Sequence, residues 1–148
     1  MVLLGNLNAA NNYVELNGYK WNLTQLLAHE MMHCFQYKDL GFRKSNPVAG
    51  IPSWKWEGYP EYIARQNEDQ VNLLKNIDHL IATEKTDHNG WINFADETGT
   101  VIEYYKSWLL VKYCLDIKKQ SWNQLLNDKT SDAAIHAEMM HWYQLQKR

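Results

Sequence analysis

Residues 26–36 read LLAHEMMHCFQ, and how this stretch is read decides what kind of domain the chain builds. It is apolar enough for a packed helix, yet it holds His29, Glu30 and His33 where leucines would bury at lower cost. Asn22 followed by Gln25 forms an N-cap pair for a helix over about 23–37, with Leu23, Leu27 and Met31 stepping down one side and Gly41 just beyond its end. Residues four apart on a helix share a face, their Cβ atoms about 5–6 Å apart. His29 and His33 can therefore aim both imidazoles at one ion, and Glu30, one position round, can reach a water on it. The same letters also fit a plain helix with two hydrogen-bonded or exposed histidines.

Outside this stretch, composition narrows the alternatives. A chain of 148 residues, 45% of them hydrophobic, suffices for one core and predicts a single domain over 1–148. A net charge of -2 and a scatter of 15 Lys and Arg give no basic surface for a phosphate backbone, so nucleic acid is not an expected partner. The longest mainly apolar run, SWLLVKYCL, is broken by Lys112 and falls short of a membrane span. No charged-then-apolar leader opens the sequence. A soluble protein is expected, cytoplasmic as written and secreted if a leader has been removed, so the compartment stays open. Cys34 and Cys114 sit in separate helical patterns without metal-type spacing and read as ordinary buried thiols. Seven Trp and nine Tyr can line either a core or a substrate groove.

Along the chain, Tyr13–Leu16 alternates between Asn- and Gly-rich flanks and predicts a brief strand. Almost everything later reads as helix. GFRKSNPVAGIPSW, residues 41–54, is a loop by its prolines and glycines. A helical pattern resumes near Pro60, pauses around Asn67 and runs on through Val71, Leu74, Ile77 and Ile81. Asn89-Gly90 marks a turn with an extended WINF after it. Thr100-x-x-Glu103 reads as a capping box for a helix to about 118, Ser121-x-x-Gln124 opens another, and Asp132 caps a last one. The fold class is mainly α with a small β portion.

A catalytic zinc site needs three protein ligands and a water, so the two histidines call for a third partner. Asp39, ten residues after His29, fits one known spacing, but that geometry wants a glycine near 36, where Gln36 stands. His136 and His141 echo the motif, yet five residues turn a helix about 140° past a full circle and point them apart. Glu57 and Glu61, four apart in WKWEGYPEYIA (54–64), open the next helical pattern.

With these residues in view, the sequence resembles the gluzincin metallopeptidases, which include thermolysin-like enzymes and the zinc aminopeptidases. In that family the third ligand is a Glu on the helix after HExxH, in a segment similar to Trp56-Glu57-Gly58-Tyr59-Pro60-Glu61-Tyr62, and the separation of His33 from Glu57 is similar too. The resemblance implies a zincin-like catalytic domain that binds Zn2+ through His29, His33 and Glu57, with Glu30 as general base. It also implies that Glu61 orients a ligand histidine, since a metal-bound imidazole gives its other N–H to a carboxylate. EYYKSWLLVKYCLD (103–116) is similar to a Y-x-x-S helix whose tyrosine stabilises the developing oxyanion, which makes Tyr104 the candidate and Tyr105 the fallback. The likeness covers residues 22–126 and departs from the family in two ways. Pro60 replaces a small residue, which predicts that the helix starts near Gly58 or Tyr59. Only about 20 residues stand where a β-sheet is normal, as in a short or truncated member, and Tyr13–Leu16 is the strand available as an edge for peptide.

The expected activity is hydrolysis of a peptide or protein substrate. The alternatives are a non-catalytic helical zinc-binding or interaction module with a vestigial HExxH, and a zinc hydrolase acting on another amide.

Overall fold

The computed structural model describes residues 5–45, 50–86 and 89–148. Three short strands come first: β1 (Asn6–Asn8), β2 (Tyr13–Leu16) and β3 (Tyr19–Asn22), antiparallel in that order. Asn17 and Gly18 join β2 to β3 with φ of 53 and 82, the left-handed pair that a two-residue hairpin turn requires. The expected strand is therefore present, but β2 is central. Its backbone groups are taken by β1 and β3, so it is not the free edge that peptide would pair with.

Asn22 ends β3 and caps α1 (Leu23–Lys44), its side chain accepting from the Gln25 N–H at 3.1 Å. The helix runs past the expected end near 37 to Lys44, across a kink at Gly41, whose φ of 73 a β-carbon would oppose. Residues 46–49 of the expected 41–54 loop lie outside the described residues. α2 (Ser53–Ala64) starts five residues before the expected Gly58, behind Pro52 at its N-cap, and carries Pro60 in its interior. Then follow α3 (Glu68–Val71), α4 (Leu73–Thr86) and the hairpin β4 (Trp91–Asn93) and β5 (Gly99–Val101). α5 (Ile102–Lys112) is prolonged by a π-helical turn over Tyr113–Ile117, close to the predicted end at 118. α6 (Trp122–Asn127) opens on the predicted Ser121/Gln124 capping box, and α7 (Asp132–Gln146) closes the chain. Two predicted caps move. Thr100 is buried in β5 and Val101 is the N-cap of α5; Ser131, not Asp132, caps α7.

The domain is thus mainly helical with two small sheets. Its apolar core gathers Ile77, Ile92, Trp108, Leu109, Leu125 and Ile135 from α4, β4, α5, α6 and α7, each such side chain contributing about 1.5–3 kcal/mol by leaving water. α2 crosses α5 at Gly58, where a β-carbon would lie 2.4 Å from the Ser107 carbonyl oxygen. That close approach sets Glu57 and Glu61 of α2 beneath Tyr104 of α5. α1 turns its apolar side outward: Leu27, Met31 and Phe35 are exposed, while Gln25, His29 and Gln36 are buried. Cys114 is buried as expected and Cys34, on the same outer side of α1, is exposed. Among the described residues no helix is long and apolar enough to cross a membrane.

Candidate metal centre

α1 and α2 meet along their polar faces, and the meeting brings three predicted residues to one point. His29 Nε2 lies 3.0 Å from His33 Nε2, and Glu57 Oε2 lies 3.3 Å from the first and 3.4 Å from the second. Ligand atoms about 2.1 Å from one tetrahedral ion stand about 3.4 Å from each other. The spacing therefore fits a single ion to within a few tenths of an ångström, and two imidazoles with one carboxylate suit zinc better than magnesium or calcium. Among the described residues this is the His/Cys/Asp/Glu group close enough to hold a metal.

Each imidazole is held from behind by a different device. His29 Nδ1 donates to Glu61 Oε1 at 2.7 Å, and Glu61 pairs with Arg65, one helical turn on. Arg65 Nη1 donates to Gln25 Oε1 at 3.0 Å, and Gln25 Nε2 to Gln70 Oε1 at 2.9 Å. All of these side chains are buried, Glu61 at 5% exposure. The guanidinium also lies over the Phe94 ring, 4.7 Å from its centroid, a cation–π contact that offsets its desolvation. His33 faces Gln36 instead, Nδ1 to Oε1 at 2.8 Å, and its ring stacks on Trp56 at 4.8 Å. Both Nδ1 atoms are thus engaged, which leaves both Nε2 atoms for the shared point.

The protonation equilibria reflect this crowding. Burial pushes the His29 pKa down, but hydrogen bonds and charge from Glu57 and Glu61 outweigh it and raise the value to about 9. Burial likewise pushes Glu57 up, and the hydrogen bonds from His29 and His33 overturn that and hold it at about 2. Glu61 is held below the usual carboxylate range, its full burial outweighed by the Arg65 charge and the His29 hydrogen bond. With Nδ1 committed to Glu61, the extra His29 proton sits on Nε2, the position an ion would take. A site that retains a proton so strongly has the charge of a cation-binding site.

Two further candidates flank the group. Glu30, partly buried, lines a cavity of about 50 Å³ together with His29, Trp21, Thr100 and Tyr104, room for a water or two. Tyr104 stacks on His29 with ring centroids 5.7 Å apart and 16° between planes, and is 37% exposed. Partial burial, and then the charges of Glu57, Glu61 and Glu30, push its pKa up to about 12. Tyr105 is fully buried and gives its hydroxyl to Asn76 Oδ1 at 2.7 Å, so it packs the core. Asp39 is exposed and outside the group, and His136 and His141 are exposed on α7.

Sequence reading missed Gln36, Arg65, Gln25, Gln70 and the ring of Trp56. Arg65 had a signal, standing four residues after Glu61, as did Gln36, three after His33. The comparisons with known proteins add nothing to this geometry: no family model, no curated protein and no solved structure matches the chain.

Proposed function

We propose that the protein is a zinc-dependent peptidase with a zincin-like catalytic domain, in which His29, His33 and Glu57 hold the ion. The observation that carries this reading is the convergence of two Nε2 atoms and a carboxylate oxygen at tetrahedral-ion spacing, beside a water-sized cavity lined by a second carboxylate. When bound, zinc acidifies a water and polarises a carbonyl. Glu30 faces that cavity as general base: it takes the water proton as oxygen joins the scissile carbonyl carbon, and delivers it to the amine nitrogen as the C–N bond breaks. Tyr104 keeps its hydroxyl proton across the working pH range and donates to the carbonyl oxygen as charge builds there. Glu61, backed by Arg65, fixes His29 with Nε2 forward.

The deciding experiment is Glu30→Gln with a mixed peptide library. The variant is expected to bind zinc as the wild type does and to lose hydrolysis. Equal inertness of both proteins at full zinc occupancy would overturn the peptidase reading. A second reading draws on the exposed α1 stripe, with Leu27, Met31 and Phe35 at 36%, 56% and 51% exposure: a zinc-bearing module that docks a partner there. Equal inertness would favour it.

A further inference from the structure

The hydrogen bonds behind His33 lead to a residue on the other helix. Pro60 has no N–H, so it cannot supply the bond that residue 60 of a helix would give to the carbonyl of residue 56, and its ring presses on that carbonyl. The Trp56 oxygen is instead reached by the side chain of Gln36, Nε2 to O at 3.2 Å. A carbonyl can only accept, so the amide end facing it is the NH2 group. The opposite end of Gln36, 2.8 Å from His33 Nδ1, is then the carbonyl oxygen, which again only accepts. A neutral His33 must then carry its one hydrogen on Nδ1, and its Nε2 is left bare.

We propose that Gln36 and Pro60 are positioning residues that fix the tautomer of His33: the proline leaves a backbone acceptor that orients the glutamine, and the glutamine orients the imidazole. Gln36 is 3% exposed, so no water competes for its amide. Trp56 serves both ends, its carbonyl holding Gln36 while its ring stacks on His33 at 18° between planes. Glu57 follows directly in sequence, so one turn of α2 sets a ligand and the support of its neighbour together. The use of a fixed tautomer rests on the reading of His33 as a zinc ligand, but the NMR half of the test needs no zinc.

The test is ¹⁵N NMR of the imidazoles in labelled, zinc-free protein at a pH above the titration of His29, paired with zinc affinity from chelator competition. In the wild type, His33 is expected to show a protonated Nδ1 and a bare Nε2. Gln36→Met should give a mixture of tautomers and a zinc affinity lower by about 10–100-fold. Pro60→Ala should move both readouts in the same direction by a smaller factor, since the restored N–H draws the Trp56 carbonyl back to the helix axis. A bare Nδ1 in the wild type, or the wild-type pattern retained in both variants, would overturn the proposal. Should Gln36→Met fail to fold, the wild-type spectrum and Pro60→Ala decide it. A wild type with the expected tautomer but no zinc uptake would sink the ligand reading and leave the positioning role standing.

Discussion

α1 and α5 both pack against α2, and they are held in opposite ways. α5 buries Tyr105, Trp108, Leu109 and Val111 in the apolar core, so its place is set by surface removed from water. α1 buries Gln25, His29 and Gln36 and leaves Leu27, Met31 and Phe35 outside. Its place is set by hydrogen bonds to Glu61, Gln70, Arg65 and the Trp56 carbonyl. A helix that gives up apolar burial for a directed polar face carries that face for a site.

The contrast can be broken by truncating one side at a time. Leu109→Ala is expected to cost about 2–5 kcal/mol of unfolding free energy and to leave zinc affinity within twofold, because Leu109 belongs to the apolar core. Glu61→Gln is expected to cost about 3 kcal/mol, since it leaves the Arg65 cation buried without its carboxylate, and also to lower zinc affinity about 10–100-fold. Urea denaturation and chelator competition on the two variants check both halves. If Glu61→Gln left zinc affinity unchanged, the polar face would be packing alone.

The pH dependence sharpens the same contrast, because the polar junction of α1 and α2 holds an imidazole and two carboxylates shifted from their ordinary values. His29 titrates near 9 in the folded, zinc-free protein and near 6.5 unfolded. Its stabilising contribution is therefore complete below about pH 6.5 and is lost as pH rises through about 9. Glu57, held at about 2, contributes above about pH 4.5 and loses its share as pH falls toward 2. Melting temperature of zinc-free protein should fall between pH 7 and pH 10. Saturating zinc should flatten that fall, the ion taking the place of the Nε2 proton. A zinc-free melting temperature that stays level or rises over this interval would contradict the assigned hydrogen bonds.

The smallest effect is expected on the outer side of α1. Met31→Gln at a solvent-facing position should change stability by less than about 0.5 kcal/mol. A cost above about 1 kcal/mol in the thermal melt would mean that the stripe is covered in solution, and would favour the partner-docking reading.

How far the sequence could be read follows the same division. The pairing of His29 with His33 was legible because residues four apart on a helix share a face; Glu57, Glu61 and Tyr104 rested on the family resemblance, and the structure sets them beside the two histidines. The Asn22 and Ser121 caps were legible because each is a local bond within four residues. The orientation of α1 was not, since periodicity groups Leu23, Leu27 and Met31 on one side without saying which way that side faces, and tertiary partners such as Gln70, 45 residues on, decide it. β1 and β3 were hidden by their three- and four-residue lengths and polar composition. The start of α2 was misread because Pro60 normally marks a first turn. In its interior place, the i−4 carbonyl it leaves finds Gln36 from another helix, a contact no local pattern contains. Gln36 first counted as an obstacle to a ligand at Asp39 and proves to be the partner of His33.

The central claim is that one ion completes the group formed by His29, His33 and Glu57. Zinc K-edge X-ray absorption on the zinc-loaded protein, with metal content measured on the same sample, tests it most directly. The account predicts one zinc per chain in a four-coordinate nitrogen and oxygen shell at about 2.0–2.2 Å with the scattering of two imidazoles, and loss of one oxygen ligand in Glu57→Ala. Less than half an equivalent of zinc, or a shell without imidazole scattering, would contradict it.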